Sequence, residues 1–223
     1  MARRTKEEAQ ATRERLLDAA ELLFQAQGVS QTTLQQIAQA ADATRGAVYW
    51  HFKDKADLFN AMMDRVTLPL EAANRAGIAA GGARPLEAME CTMLDALRVI
   101  TTNSQVRRVF DIATRKVEYT DEMDSVRRRH IESRQVFLTE FEQALRIAAR
   151  TEGRKLPIPV VSAAQGLHAL IGGLIEDWLL DPAAFDLVLT GRRVFHVYLS
   201  GLGFQRKGES ANDAADSPIQ PSA

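Results

Sequence analysis

TTLQQIAQAADATRGAVYWHFKDK, residues 32–55, is the most informative segment of this 223-residue chain. Apolar residues at helical spacing, beginning with Leu34 and Ile37, predict a short first helix, and a second short helix follows a tight turn. The second helix ends in a cluster of aromatic and cationic side chains, YWHFKDK, although it is too short to form a core alone. Such a cluster is typical of a surface that lies on a phosphate backbone and inserts a helix end into a DNA groove.

The ends of both helices are predicted by side chains that can cap them. Thr32 and Gln35 have the spacing of a capping box, so the first helix is expected to begin near Thr33. Asp42–Ala43 supplies a short turn. Thr44 is expected to cap the second helix, because its hydroxyl can accept a hydrogen bond from a free backbone N–H.

The second helix is predicted to have one buried and one exposed face. Val48 and Phe52 are four residues apart and are expected to point inward together. The residues left facing outward are Thr44, Arg45, Ala47 and Tyr49. Gly46 and Ala47 are small, so the backbone here can approach base edges closely.

Three segments of the chain resemble the DNA-binding domain of the TetR family of one-component transcriptional regulators. They are ARRTKEEAQATRERLLDAAELLF at residues 2–24, GVSQTTLQQIAQAA at 28–41 and TRGAVYWHFKDKADLF at 44–59. The resemblance is closest to the AcrR/TtgR branch, which represses multidrug efflux pump operons. It covers residues 2–63 closely, with a local echo in GGLIEDWLLDP at 172–182.

This resemblance implies an all-α, nine-helix TetR-like fold. The expected organisation is an N-terminal three-helix, helix-turn-helix DNA-binding domain over residues 1–55 and a helical ligand-binding and dimerisation domain over 56–205. Residues 206–223 are small and polar, which predicts a disordered tail. The pattern of the chain agrees, because it contains no alternating strand signal of useful length.

Side-chain chemistry and the resemblance together predict the DNA contacts. Arg45 is the candidate for direct base contact, since its fork matches O6 and N7 of guanine. Gly46 and Ala47 allow close approach, and Ala47 can touch a thymine methyl. Trp50 is expected to pack on sugar and backbone, and Thr44 flanks the same surface. The residues that resemble the family's phosphate clamps are Thr33, Tyr49, His51 and Lys55.

Structural roles stay open for several of these residues. Tyr49 and Trp50 can also be explained by core packing, and His51 by a structural hydrogen bond. Lys53 is interpreted as a solvated charge. Arg3, Arg4 and Lys6 form a basic N-terminal arm. Residues 1–55 nevertheless carry eight Lys and Arg against seven Asp and Glu, a weak basic balance for a DNA-binding domain.

The turn departs from the family pattern at two positions. The family usually has Gly where this chain has Asp42, and the φ angle there is positive. Asp is among the few other residues that tolerate this conformation, so we expect the turn to form with some strain. Ala43 replaces a larger apolar residue, which predicts looser packing under the turn.

The last two helices predict a homodimer. Helix 8, at Val160–Leu180, and helix 9, at about Phe185–Phe204, are apolar on more than one face. A helix that is apolar all round has to be buried all round, and a second copy of the chain supplies the easiest cover. The resemblance implies the same four-helix bundle across a dimer axis. Burial at the centre of a monomer is the alternative.

Methionine and aromatic residues in the C-terminal part predict a pocket for a small hydrophobic ligand. Methionine adapts to irregular shapes, which suits a pocket that accepts several ligands. The candidate lining residues are Met62, Val66, Met89, Met93, Phe110, Phe137, Phe141, His168, Ile171 and Ile175. Glu140 and Asp177 are additional polar candidates. Ordinary core packing remains the alternative for each.

Composition limits the other classes of function. The net charge is −1, and the lone Cys91 excludes an intramolecular disulfide and suits a reducing cytoplasm. The charged N-terminus predicts no signal peptide. Residues 156–175 lack charge, but Pro157 and Pro159 leave too short an apolar helix to span a bilayer, so no membrane partner is expected.

An enzyme and an interaction module are the two other classes considered. An enzyme would pair Cys91 with one of His51, His130, His168 or His196. The chain has no nucleophile elbow, metal-ligand spacing or phosphate loop, so no catalytic residue, metal or cofactor is predicted. A docking surface would use Arg107, Arg108 and residues 127–129, but these alternate with acidic residues as on a solvated helix face.

The sequence and the resemblance together predict a cytoplasmic, ligand-responsive regulator that binds a palindromic double-stranded operator as a dimer. That it acts as a repressor is implied by the resemblance. The resemblance implies control of a multidrug efflux operon and release by hydrophobic, drug-like ligands. The alternative is a TetR-type regulator of another pathway, either an activator or a metabolite sensor, with no role in efflux.

Overall fold

The computed structural model describes residues 6–82 and 84–204 and is all-helical over these ranges, which confirms the predicted fold class. Their helices are α1 Lys6–Gln27, α2 Leu34–Ala40, α3 Arg45–His51, α4 Lys55–Ala80, α5 Pro85–Thr102, α6 Ser104–Arg115, α7 Asp124–Thr151, α8 Val160–Leu180 and α9 Leu187–Gly201, with a 3-10 turn at Asp121–Met123 before α7. The predictions for Arg3, Arg4 and the tail at 206–223 lie outside the described residues.

The core of the N-terminal part forms where α1 packs against α2, α3 and α4. Leu16, Leu17 and Phe24 on α1 are fully buried, as the helical spacing predicts. Phe24 lies against Phe59 of α4, with ring centres 5.9 Å apart. Complete burial of one such side chain contributes about 1.5–3 kcal/mol, so these contacts fix the start of α4 against α1.

The capping residue of α2 differs from the prediction by one position. Thr33, not Thr32, is the N-cap, and it forms a capping box with Gln36 instead of Gln35. Thr32 is buried and donates its hydroxyl to the carbonyl of Gly28 at 2.7 Å. Burial of Thr32, whose hydroxyl bonds to Gly28, leaves Thr33 to cap the helix.

The turn between α2 and α3 is a left-handed helix ending. Asp42 has φ 49°, as predicted. Its N–H donates to the carbonyl of Gln39 at 3.1 Å, and the N–H of Ala43 donates to that of Ala38 at 2.9 Å. This pair of bonds is a Schellman motif, which satisfies the free carbonyls at the end of α2. The strain at Asp42 is therefore offset by two hydrogen bonds.

α3 forms as its sequence predicts. The hydroxyl of Thr44 accepts a hydrogen bond from the N–H of Ala47 at 3.1 Å, so Thr44 is its N-cap. Val48 and Phe52 are both buried, which confirms the predicted inward face. The guanidinium of Arg13 lies 5.3 Å from the centre of the Phe52 ring and anchors the end of α3 to α1.

α4 is longer than the sequence indicates. The run from Gly77 to Gly82, followed by Pro85, indicates a loop over residues 77–82, but the helix continues to Ala80. A Cβ atom at Gly77 would collide with the side chain of Thr92 on α5. The glycine therefore serves the close approach of two helices and does not end one. Asp54 caps the helix by accepting from the N–H of Asp57 at 2.8 Å.

Two further boundaries correct the predictions, and one agrees with them. Thr120 and Asp121 predict the N-terminal cap of α7, but Thr120 makes no side-chain capping bond, and α7 begins at Asp124 after the 3-10 turn. α9 ends at Gly201, before the predicted Phe204. α8 has the predicted bounds. Among the helices that the structure describes, each is too short or too polar to cross a membrane.

α8 and α9 keep apolar side chains exposed. The exposed fractions are 57% for Val161, 72% for Leu180 and 73% for Val197. Gly166 faces Tyr198 of α9, so this glycine serves packing within one chain. A Cβ at Gly172 or Gly173 would meet no atom of the described residues within 4 Å.

Candidate nucleic-acid interface

α3 presents a polar and aromatic surface. Arg45 and Gly46 are exposed, and Tyr49 and Trp50 are exposed by 50% and 71%. Burial would have supported core packing for Tyr49 and Trp50, but these rings lie outside the core. A short helix that exposes two large rings beside a cation has the composition of a nucleic-acid contact surface.

Arg45 and Tyr49 lie one turn apart on α3 and contact each other. The Nη2 atom of Arg45 is 3.5 Å from the hydroxyl of Tyr49, and its Cζ atom is 5.6 Å from the ring centre. Contact with the aromatic face limits the rotamers of the long arginine side chain. Arg45 is thus held at the surface with its donors free of any acidic partner that the structure describes.

A groove of about 480 Å³ lies beside α3. Its lining residues are Ser30, Thr32, Thr33, Leu34, Gln35, Arg45, Tyr49, Lys53, Asp54, Lys55 and Glu122. It brings together four predicted DNA-contact residues, Thr33, Arg45, Tyr49 and Lys55. Backbone and hydroxyl donors from the start of α2 therefore share one concave surface with the cations of α3 and α4.

Thr33 is already engaged within its own helix. Its hydroxyl accepts from the N–H of Gln36 at 3.2 Å, and its N–H donates to the Gln36 side chain at 2.8 Å. A phosphate at this position would have to replace the Gln36 side chain as the acceptor of that N–H. An ionised phosphate oxygen would accept a stronger hydrogen bond than the neutral amide oxygen of Gln36 does.

His51 and Lys55 are more covered than the other predicted contacts. His51 is half-buried, and its ring meets Trp50 edge-on with ring centres 4.5 Å apart. The Lys55 side chain is 13% exposed; its amine donates to the carbonyl of Thr32 at 3.4 Å and lies 3.9 Å from Glu122. Lys55 therefore links the helix-turn-helix, α4 and the 3-10 turn.

Glu122 was missed by reasoning from the sequence. It belongs to the 3-10 turn, yet it lines the groove beside residues that precede it by more than sixty positions. No local pattern indicates this approach, because it depends on the packing of α7 against α4. Ser30 and Gln35 were also missed, although both lie within the recognised segment and carry suitable polar side chains.

The ten candidate ligand-binding residues are covered to different degrees. Met62, Val66, Met89 and Met93 are buried in the core, and Phe110, Phe141, Ile171 and Ile175 pack against it half-buried. Phe137 and His168 are also half-buried. These positions come from five helices, α4 to α8, so they fit either a shared pocket or an ordinary core.

The polar candidates differ in environment. Burial, together with the charges of Arg134 and His130, lowers the pKa of His168. Burial raises the pKa of Glu140, whose carboxylate accepts from Asn74 of α4 at 2.7 Å. Asp177 is exposed. Within the described ranges no three His, Cys, Asp or Glu residues are grouped as a metal site would require.

The geometry defines a class of protein, and comparison with known proteins defines the family. A capped helix-turn-helix with an exposed second helix, joined to a larger helical part, is the architecture of helix-turn-helix transcriptional regulators. Residues 16–62 match the family described as bacterial regulatory proteins, tetR family, and residues 84–204 match the MAATS-type transcriptional repressor, C-terminal region. The chain belongs to the TetR family.

Similar proteins extend over most of the chain. The transcriptional repressor BepR of Brucella suis biovar 1 (strain 1330) is 37% identical over 200 residues, which cover 90% of this chain and 96% of BepR. The crystal structure of NalD, the secondary repressor of the MexAB-OprM multidrug efflux pump in Pseudomonas aeruginosa, is 38% identical with a TM-score of 0.79 and covers 88% of this chain and 98% of NalD. The structure of a SmeT–triclosan complex is 27% identical with a TM-score of 0.77 and covers 95% of this chain and 100% of SmeT.

Proposed function

We propose that this protein represses a multidrug efflux operon by binding a palindromic operator as a homodimer and is released by hydrophobic ligands. The observation that carries the DNA-binding half is the exposed α3 surface with Arg45 beside Tyr49. The efflux role rests on similarity to NalD, and to SmeT, the repressor of the Stenotrophomonas maltophilia pump SmeDEF. Because operator DNA is its target, we place the protein in the cytoplasm.

Arg45 is the proposed base-reading residue. Its planar fork can donate two hydrogen bonds to one guanine in the major groove. Gly46 and Ala47 let the helix backbone approach the base edges. The residues proposed to hold phosphate or sugar are Thr33, Thr44, Tyr49, Trp50, His51 and Lys55. Contacts of this second kind fix the position of the helix, and contacts with base edges give it sequence preference.

The exposed side chains of α8 and α9 support the homodimer. Val161, Leu180 and Val197 carry apolar surface that a second copy would remove from water. Gly172 and Gly173 leave space for a helix of the partner. Two-fold symmetry would then place two α3 helices at the spacing of two half-sites, which explains why one short helix can specify a long operator.

The proposed ligand site lies among the ten residues from α4 to α8 given above. Flexible methionines and half-buried phenylalanines would accept flat apolar molecules. Triclosan, which forms a complex with the related SmeT, is one molecule of this kind.

Release would follow from competition between two conformations. α4 carries Met62 and Val66 and begins at Lys55 beside the DNA-facing groove. A ligand that shifts α4 would alter the separation of the two α3 helices, so ligand and DNA would weaken each other. Coupling of this type is worth about 1–3 kcal/mol in each direction.

The test is a binding assay with the DNA upstream of the protein's own gene. We expect saturable binding of a dimer to a palindrome in that region and weaker binding when triclosan is added. A panel of other hydrophobic drugs is tested in parallel. Binding that no member of the panel weakens would overturn the ligand half of the proposal, and absence of sequence-specific binding would overturn the DNA half.

A further inference from the structure

Glu21 on α1 is a buried carboxylate at the junction between the helix-turn-helix and the C-terminal helices. It is 1% exposed. Its Oε2 atom lies 2.8 Å from Nη2 of Arg65 on α4, and its Oε1 atom lies 2.8 Å from Nη1 of Arg108 on α6. Gln105 of α6 also donates to Oε2 at 3.1 Å. One carboxylate therefore holds two helices of the C-terminal part, α4 through Arg65 and α6 through Arg108 and Gln105.

The acid is fully engaged, and its cationic partners are held in place. Arg65 also contacts Asp18 at 2.7 Å and Glu14 at 3.3 Å on α1. Burial alone would lower the pKa of Arg65, but the hydrogen bond to Asp18 and the charges of Asp18 and Glu21 raise it. Glu21 is buried and its arginine partners are partly exposed, so loss of a partner is costly chiefly because it leaves a buried carboxylate less well paired. The junction therefore resists independent movement of the helices that it joins.

α6 connects this junction to the proposed ligand site. Arg108 and Phe110 are two residues apart, which places them about 200° apart around the helix axis. Arg108 faces Glu21, and Phe110 packs against the core with the proposed ligand-lining residues. The far end of α6 is also attached to the N-terminal part, because the N–H of Val29 donates to the carbonyl of Lys116 at 2.9 Å.

We propose that Glu21 is the positioning residue through which α4 and α6 together set the orientation of the DNA-binding domain. Displacement of either helix pulls on the same carboxylate and so turns α1 with the attached α2 and α3. This inference rests on the proposed operator binding. It assigns to Glu21 no contact with DNA or ligand, only the transmission between them.

Transmission is reciprocal, so it can be tested with DNA alone and without a known ligand. The measurement is amide hydrogen exchange of the full chain, with and without a duplex carrying the region upstream of its own gene. In the wild type, DNA is expected to slow exchange in α3 and also in α6. In Glu21→Gln, α3 stays protected by DNA, and the protection of α6 falls by about fivefold or more.

Two further variants make the result specific. Arg108→Gln removes the ion pair between Glu21 and α6, leaves the pair with Arg65 of α4 and keeps only the neutral hydrogen bond from Gln105. It is expected to weaken the α6 response in the same direction as Glu21→Gln, and it decides the matter if Glu21→Gln fails to fold. Asp18→Asn removes a carboxylate from the same helix and the same Arg65, but its side chain is 63% exposed and has no bond to α6 that the structure describes. It is expected to respond like the wild type.

The outcomes separate this inference from the proposed function. DNA-induced slowing at α6 that is unchanged in Glu21→Gln and Arg108→Gln overturns the role of Glu21. The same follows if wild-type α3 is protected but α6 is not. If wild-type α3 shows no protection by the DNA, it is operator binding itself that fails, and the inference fails with it.

Discussion

Lys55 and Glu122 face each other at the edge of the groove, with the lysine amine 3.9 Å from a carboxylate oxygen. Lys55 is the first residue of α4, and Glu122 belongs to the 3-10 turn before α7. The pair therefore places an acid of the C-terminal part beside a proposed phosphate contact. An operator phosphate and Glu122 would compete for the same amine.

Removal of this acid is expected to tighten operator binding. Glu122→Gln frees the Lys55 amine and reduces repulsion of phosphate, and a gain of up to about fivefold in affinity is expected because Glu122 is largely exposed. The gain should shrink at high salt. The measurement is fluorescence anisotropy at two salt concentrations. Glu118→Gln, a nearby exposed change of equal charge, is the control, and an equal gain there would assign the effect to net charge.

The left-handed turn residue Asp42 predicts an order of stabilities. Asp42→Val places a β-branched side chain at φ 49° and is expected to lower the free energy of unfolding by about 1–2 kcal/mol. Asp42→Gly relieves strain but gains freedom in the unfolded chain, so its effect should stay within about 1 kcal/mol. Urea unfolding measures both. A valine variant as stable as the wild type would contradict the strained turn.

The lowered pKa of His168 predicts a pH dependence of stability. Burial, Arg134 and His130 lower its pKa from 6.5, so the unfolded chain binds this proton at higher pH than the folded one. The contribution of His168 to the free energy of unfolding is fully present above pH 6.5 and is lost as the pH falls through the lower, folded-state pKa. We expect His168→Gln to flatten the decline of the melting temperature below pH 6.5. A decline as steep as in the wild type would show that His168 does not contribute.

A charge on the exposed face of α9 should separate the proposed dimer. Val197→Glu would bury an unpaired carboxylate between two copies, and dimer affinity is expected to fall by about 100-fold or more. Sedimentation velocity across a concentration series measures it. Leu22→Glu, at an exposed leucine on α1, is the control. If Val197→Glu stays as dimeric as this control, the interface lies elsewhere.

The N-terminal architecture follows from local chemistry. Thr44, Val48 and Phe52 lie where hydroxyl capping and four-residue spacing place them, and Asp42 takes the positive φ that the turn requires. The capping-box spacing at Thr32 predicted the wrong cap for α2, because the core covers Thr32 and the cap is Thr33.

The ion pairs of Glu21 and the position of Glu122 in the groove could not be predicted from the sequence. Glu21 pairs with Arg65 and Arg108, which lie 44 and 87 residues away from it in the sequence. Such ion pairs depend on how helices cross, and helical periodicity carries no signal for them. Gly77 shows the same limit, since its role is set by Thr92 on another helix. Whether the predicted boundary at residue 55 divides two domains, and which residues bind ligand, stay predictions.

The most direct test of operator recognition is the effect of Arg45→Ala on sequence-specific binding to the DNA upstream of the gene. Loss of a bidentate guanine contact costs about 1–3 kcal/mol, and a dimer loses two of them. We expect Arg45→Ala to remain a dimer, to lose most specific binding, and to become insensitive to replacement of the contacted guanine. Equal affinity and equal base preference in wild type and variant would contradict the assignment of α3 as the recognition helix.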